Sequence, residues 1–202
     1  MTAAVPRART LLDAACGPGA YLEGLQPRFD VRGFENDLAL LHVARSRELA
    51  FDVRHGSIER FETDERSDVV VALRGTIAEA RTVGRLHETV ARLAAARAPQ
   101  GVLLVEPYGD PLAYEVGAIE AIHVDEPRVK ISRMIVTKRV AHLAVLDYHY
   151  LIATNHGVER YFERIERGLY ARTEYERAFA AAGLRCELLL EPAFAAGLYR
   201  GT

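Results

Sequence analysis

A doubly wound α/β sheet carrying an antiparallel β insert is the fold that this 202-residue sequence predicts, on three observations. Short apolar runs alternate with helical stretches through the first half. The first run ends in a Gly-Pro-Gly turn that opens a helix. Residues 112–169 then switch to two-residue alternation, the period of a sheet with one wet face. The length suits one domain, since about 100–200 residues is the usual size. Apolar residues make up 50% and charged residues 27%, ordinary globular usage that excludes a disordered or fibrous chain.

The runs at 9–15, 29–35, 51–55, 68–73 and 101–106 carry Val, Leu and Phe and are bounded by turn residues. That suits strands buried on both faces of a parallel sheet. Asp37 is placed to N-cap a helix running through Arg45. Residues 76–97 read as one long helix, best formed over 83–96 and stopped before Pro99-Gln100-Gly101. In the insert, 129–136 and 140–152 alternate, and Asn155-His156-Gly157 reads as a turn. Thr173 with Glu176 suggests a capping box for a helix over 173–182. Gly183 stands where a C-cap glycine belongs, and 184–191 and 195–199 close the chain as strands. The chain therefore divides into a core over 9–111, an insert over 112–169 and a C-terminal helix with strands over 170–202, within one domain spanning 1–202.

Several function classes drop out early. The net charge of −2 gives no support for nucleic-acid or membrane-surface binding, which calls for a strongly basic balance. No apolar run reaches the ~18–20 residues that span a bilayer, and the broken apolar stretch over 1–19 does not read as a signal peptide. Cys16 and Cys186 make neither a disulfide framework nor a metal cluster, which points to a reducing cytoplasm. The seven histidines form no metal-ligand pattern. Cys16 reads as a small buried filler rather than a nucleophile.

The chemistry sits in the stretch from Leu11 to Leu22. A strand runs through Asp13 and Ala15 into a turn holding Gly17, Pro18 and Gly19, then into a helix carrying Tyr21. Glycines there let the backbone pass close to a ligand. The third glycine of the dinucleotide fingerprint is replaced by Leu22, which argues against a pyrophosphate at the helix end. Glu35 ends the second strand, sixteen positions after Gly19, where a carboxylate can take both hydroxyls of a ribose. Together these say a nucleoside cofactor without a diphosphate.

This run resembles motif I of the class I S-adenosylmethionine-dependent methyltransferases, and the remaining landmarks fall into that family's order. The resemblance implies a seven-stranded, Rossmann-like sheet and S-adenosyl-L-methionine as cofactor. It makes Glu35 and Asn36 the ribose end of the second strand, and Ser57 and Ile58 the adenine loop. Leu73 and Arg74 then mark the end of the fourth strand. The cofactor-binding set it implies is Asp13, Ala15, Gly17, Pro18, Gly19, Tyr21, Glu35, Asn36, Ser57, Ile58, Leu73 and Arg74. Residues 101–107 and 173–185 are similar to the deoxyaminosugar N-methyltransferases. That similarity implies an amine on a small-molecule acceptor and a homodimer formed through the antiparallel insert, while the charge balance leaves neither nucleic acid nor membrane as an expected partner.

Three departures stand out. Ten residues precede Leu11, where that subfamily has helical segments covering the acceptor, so the acceptor side is expected to be thinly roofed. Ala78 stands roughly where the subfamily has a histidine near the acceptor amine, and Ser57 stands where the adenine loop often has Asp. Methyl transfer needs a nucleophile held in line with an activated donor and a base to free it, less of one for an amine than for a hydroxyl. The candidates for acceptor chemistry are His149 and Glu106, with Tyr108 and His123 behind them. On a strand, Asp147 and His149 share one face, and Tyr148 and Tyr150 the other. Two alternatives stay open: O- or C-methylation of a natural product, and a non-catalytic cofactor-binding homologue that needs a partner.

Overall fold

The structure is a computed structural model that describes residues 7–47 and 52–202. Residues 1–6 of the stretch read for targeting, and Phe51 of the third apolar run, lie outside the described residues. In chain order the elements are β1 (Thr10–Asp13), α1 (Ala20–Leu25), β2 (Asp30–Glu35), α2 (Leu38–Ser46), β3 (Asp52–His55) and β4 (Ser67–Ala72). A single 3-10 turn (Thr76–Glu79) leads to α3 (Val83–Ala95) and β5 (Arg97–Val105). Four strands follow: β6 (Ile119–Glu126), β7 (Val129–Val140), β8 (Leu143–Thr154) and β9 (Gly157–Gly168). The last elements are α4 (Arg172–Ala181), β10 (Cys186–Leu189) and β11 (Leu198–Gly201).

The expected seven-stranded sheet is present, in the order β10-β11-β5-β4-β1-β2-β3. Neighbours among β1 to β5 run parallel, while β11 is antiparallel to both β5 and β10. Alternate residues of the inner strands feed two cores. Leu12, Val70 and Leu103 pack on one face with Leu86, Val90 and Leu93 of α3 and Tyr175 and Phe179 of α4. Leu11, Val69 and Val102 pack on the other with Leu22 of α1 and Leu41 of α2. The start of β1 is pinned to β4 by Asp68, whose carboxylate accepts from the N–H groups of Arg9 and Thr10 at 2.8 and 3.1 Å. Those donors hold its pKa below the usual carboxylate value.

Local signals hold at several ends. The Asp37 carboxylate accepts from Ala39 and Leu40 N–H at 2.8 and 3.0 Å, so it caps α2. Gly183 follows α4 with φ +76°. Two expectations are corrected. Residues 76–97 are not one helix: the 3-10 turn ends at Glu79, Ala80 and Thr82 are extended, and the Thr82 hydroxyl caps a fresh helix at Arg85 N–H, 3.2 Å away. The capping device on α4 sits earlier than Thr173. The Glu174 carboxylate accepts from the Ala171 N–H at 2.7 Å, so the helix starts at Arg172.

The insert is a second sheet, an antiparallel meander in the order β6-β7-β8-β9. Each hairpin closes with two residues between paired ends: Glu126 with Val129, Val140 with Leu143, and Thr154 with Gly157. The meander has a small core of its own, in which Ile135, Ala144, Leu146 and Leu169 pack together with Tyr108, Tyr114 and Tyr148 against them.

Candidate active site

A cleft of about 910 Å³ opens at the carboxyl ends of β1, β2 and β4, the place where open α/β sheets bind ligands. Its floor is formed by Gly17 and Pro18 of the Gly17-Pro18-Gly19 turn. Gly17 and Gly19 have φ +57° and +80°, which bend the chain off β1 and into α1. Leu22 replaces a third glycine, and its bulk is taken up on the neighbouring strand. A Cβ on Gly33 would lie 2.9 Å from Leu22 Cδ1 and 2.7 Å from Cys16 Sγ.

Glu35 closes this end of the cleft. The residue is 8% exposed, and its carboxylate accepts from Gly17 N–H at 2.8 Å and Asp37 N–H at 2.7 Å. Each oxygen therefore holds one backbone donor and keeps capacity for one more. Asp13, 2% exposed, accepts from Ala15 N–H at 3.2 Å. Burial pushes its pKa up to about 7, against that hydrogen bond and with a further push from Glu35. Burial, then Asp13 and Glu35, pushes the Cys16 thiol up to about 12. It stays protonated, as a packing residue would.

Beyond β4 the chain turns through two left-handed residues, Arg74 at φ +58° and Gly75 at φ +68°. Glu106, at the end of β5, holds this loop by accepting from Arg74 N–H at 2.6 Å. The far wall comes from the meander, where residues 163–167 of β9 face the cleft. Two ion pairs join this wall to the segment after β4, Arg81 with Glu166 at 2.8 Å and Arg167 with Glu79 at 3.5 Å. His142 Nε2 adds a hydrogen bond to the Arg81 carbonyl at 2.8 Å.

The chain is 31% identical over 198 residues to the dTDP-3-amino-3,6-dideoxy-alpha-D-glucopyranose N,N-dimethyltransferase of Streptomyces fradiae, spanning 97% of this chain and 78% of that relative. The chain belongs to the S-adenosylmethionine-dependent aminosugar N-methyltransferases. Solved structures agree. The sugar N-methyltransferase KedS8 of Streptoalloteichus superposes with a TM-score of 0.94 at 29% identity, over 100% of this chain and 82% of that one. CalS10, an amino pentose methyltransferase of Micromonospora echinaspora solved with S-adenosylmethionine bound, gives 0.88 at 30% identity, over 100% and 86%. No family model matches the chain.

As a member of this family, the chain is a methyltransferase with S-adenosylmethionine as its methyl donor, and the cleft fits that cofactor. The buried Glu35 carboxylate offers its free lone pairs to a ribose diol, and the glycine turn leaves open space beside Gly17. Of the residues singled out in the sequence, Asp13, Ala15, Gly17, Pro18, Tyr21, Glu35, Asn36, Ile58, Leu73 and Arg74 line the cleft. Gly19 and Ser57 lie behind the lining: Gly19 makes the turn, and the Ser57 hydroxyl accepts from Glu59 N–H at 3.2 Å. Glu106 braces the loop from outside. His149 sits on the exposed face of β8 with its ring 5.0 Å from Phe162, away from the cleft lining. His123, on β6, bonds the Ser132 hydroxyl at 2.9 Å. Sequence reading missed Thr76, Glu79 and Arg81, which follow β4 into the cleft, and the β9 wall, which only the packing of the meander brings there.

Proposed function

We propose that the chain N-methylates the amine of a nucleotide-linked deoxyaminosugar. The Streptomyces fradiae relative named above acts on such a sugar. The observation that carries the reading is the joined cleft: the nucleoside end at Glu35 and Gly17 and the charged wall of β9 open into one space. Bound there, S-adenosylmethionine supplies a methyl group already activated on a sulfonium. The chain's work is then to seat the cofactor and hold the amine in line, uncharged. In this reading Asp13, Ala15, Gly17, Pro18, Gly19 and Tyr21 serve the methionine side, and Glu35 with Asn36 the ribose. Ser57 and Ile58 serve the adenine side, and Leu73 and Arg74 the border with the acceptor. Glu106 acts through its grip on Arg74, and the placement of His149 argues against a role for it as base.

The core over 9–111, the insert over 112–169 and the segment over 170–202 work as one cytoplasmic unit. Two copies associate through the insert. Support for association comes from β6, an edge strand with all eight residues exposed, among them Ile119, Ile122 and Val124. Incubating the protein with S-adenosylmethionine and dTDP-3-amino-3,6-dideoxyglucose, then locating the added methyl groups by mass spectrometry and NMR, tests the activity. Methyl groups on nitrogen are expected. Methylation on oxygen or carbon, or none, overturns it.

A further inference from the structure

We propose that Glu79 is the group that receives the acceptor's ammonium and takes its proton before methylation. The inference rests on the amine reading above. Glu79 is the last residue of the 3-10 turn Thr76–Glu79. Ile77 and Ala78 of that turn are fully buried in the main core, so Thr76 and Glu79 are the residues it presents to the cleft. Ala78 is thus enclosed, and its neighbour Glu79 lines the cleft.

The turn is fixed at both ends. Upstream, Arg74 and Gly75 are left-handed, Arg74 N–H is held by Glu106, and a side chain on Gly75 would strike Tyr108 Cα at 2.8 Å. Downstream, the Tyr170 hydroxyl donates to the Ala80 carbonyl. A carboxylate mounted this way is positioned before any ligand arrives, which is what a proton-transfer group needs.

The other carboxylates around the cleft are engaged or lie at its rim. Glu35 holds two backbone N–H groups, Asp13 is enclosed on Ala15 N–H, Glu166 pairs with Arg81, and Glu59 pairs with Arg85 at 3.3 Å. Glu163 is exposed on β9. Among the described residues the Glu79 carboxylate accepts no hydrogen bond and touches one cation, Arg167 at 3.5 Å. Beside it, the Thr76 hydroxyl oxygen is buried without a partner in the same wall. An amine answers both: one N–H for the carboxylate and one for the hydroxyl. The charges facing Glu79 are Arg167 and Glu166 from β9, Arg81 after the turn, Glu59 after β3, and Glu35 and Asp13 on the floor. Burial raises its pKa, Arg167 opposes the rise, and Glu35 and Glu59 add to it. The burial and the two neighbouring carboxylates favour a carboxylate that can hold a proton briefly.

In the step itself an ammonium N–H bond breaks and an O–H bond forms on Glu79, leaving a neutral amine whose lone pair attacks the methyl carbon as the methyl–sulfur bond breaks, its electron pair leaving on the neutral thioether of S-adenosylhomocysteine. The methylated nitrogen leaves as a cation, and the proton on Glu79 passes to water. The overall reaction releases one proton per methyl group.

The test uses wild type, Glu79→Gln and Glu79→Asp with dTDP-3-amino-3,6-dideoxyglucose. It follows rate between about pH 6 and about pH 9 and, separately, S-adenosylhomocysteine affinity by calorimetry. Glu79→Gln is expected to lose about 100-fold in kcat near neutral pH. Its acid limb should move to higher pH, where the free amine supplies itself, while cofactor affinity holds. Glu79→Asp should recover part of the rate. An unchanged pH profile in Glu79→Gln, or a rate loss that tracks a loss of cofactor affinity, overturns the proposal with the amine reading intact. A wild type that leaves this amine unmethylated overturns both.

Discussion

Each oxygen of Glu35 binds one backbone N–H, and both donors belong to the turns that shape the nucleoside end. Glu35→Ala removes the charged acceptor of a ribose diol and frees those donors. A hydrogen bond to a charged group contributes about 2 kcal/mol, so S-adenosylhomocysteine affinity should fall by roughly 30-fold or more. Because the residue ends its strand, the melting profile should stay cooperative. Calorimetry with circular dichroism checks both. Asp13 makes a different prediction. Its pKa is about 7 in the fold against 3.8 for the free side chain, so the folded state binds more protons between those values. Stability from this group is full below about pH 4, drains away as pH rises toward about 7, and is flat above; at about 1.4 kcal/mol per unit the drop is at most about 4 kcal/mol. Urea unfolding of the cofactor-free protein should show this slope, and Asp13→Asn should flatten it.

At the scale of elements, the strands were legible because a strand buried on both faces must be apolar along its length, and 68–73 or 101–106 has no other use. The glycine turn and Glu35 were legible because sequence neighbours build them. What stayed hidden has a physical reason too. The break at Ala80 depends on the left-handed Arg74-Gly75 corner and on Tyr170 reaching in from beyond the meander. The Thr82 cap was a local signal overridden by helix-forming composition on both sides. β5 begins early, at Arg97, because that guanidinium gathers the carbonyls of Ala98, Pro99 and Gly101 at 2.9 to 3.1 Å and so holds a proline-containing stretch in the sheet. The Leu22–Gly33 contact joins two elements and can be tested as a pair. Gly33→Ala pushes a Cβ to within 2.9 Å of Leu22 and 2.7 Å of Cys16. It should cost about 1–3 kcal/mol of unfolding free energy, and adding Leu22→Ala should make the two costs less than additive.

For the whole molecule, the exposed apolar edge of β6 predicts association. Light scattering behind a sizing column should report a dimer, and Ile122→Arg should return monomers. The two sheets of one copy meet at the cleft under different forces. The cofactor floor is knit by backbone hydrogen bonds to the buried Glu35. The β9 wall is clasped by side chains that water reaches: Arg81 and Glu166 are 59% and 36% exposed. Exposed pairs contribute about 0–1 kcal/mol each and are screened by salt over about 8 Å at physiological strength. The enzyme should therefore read ionic strength on one side only. Adding salt should raise KM for the sugar and speed release of the methylated product, while the Kd for S-adenosylhomocysteine barely moves. A cell's salt would then set how long the acceptor stays, and leave the cofactor's residence untouched.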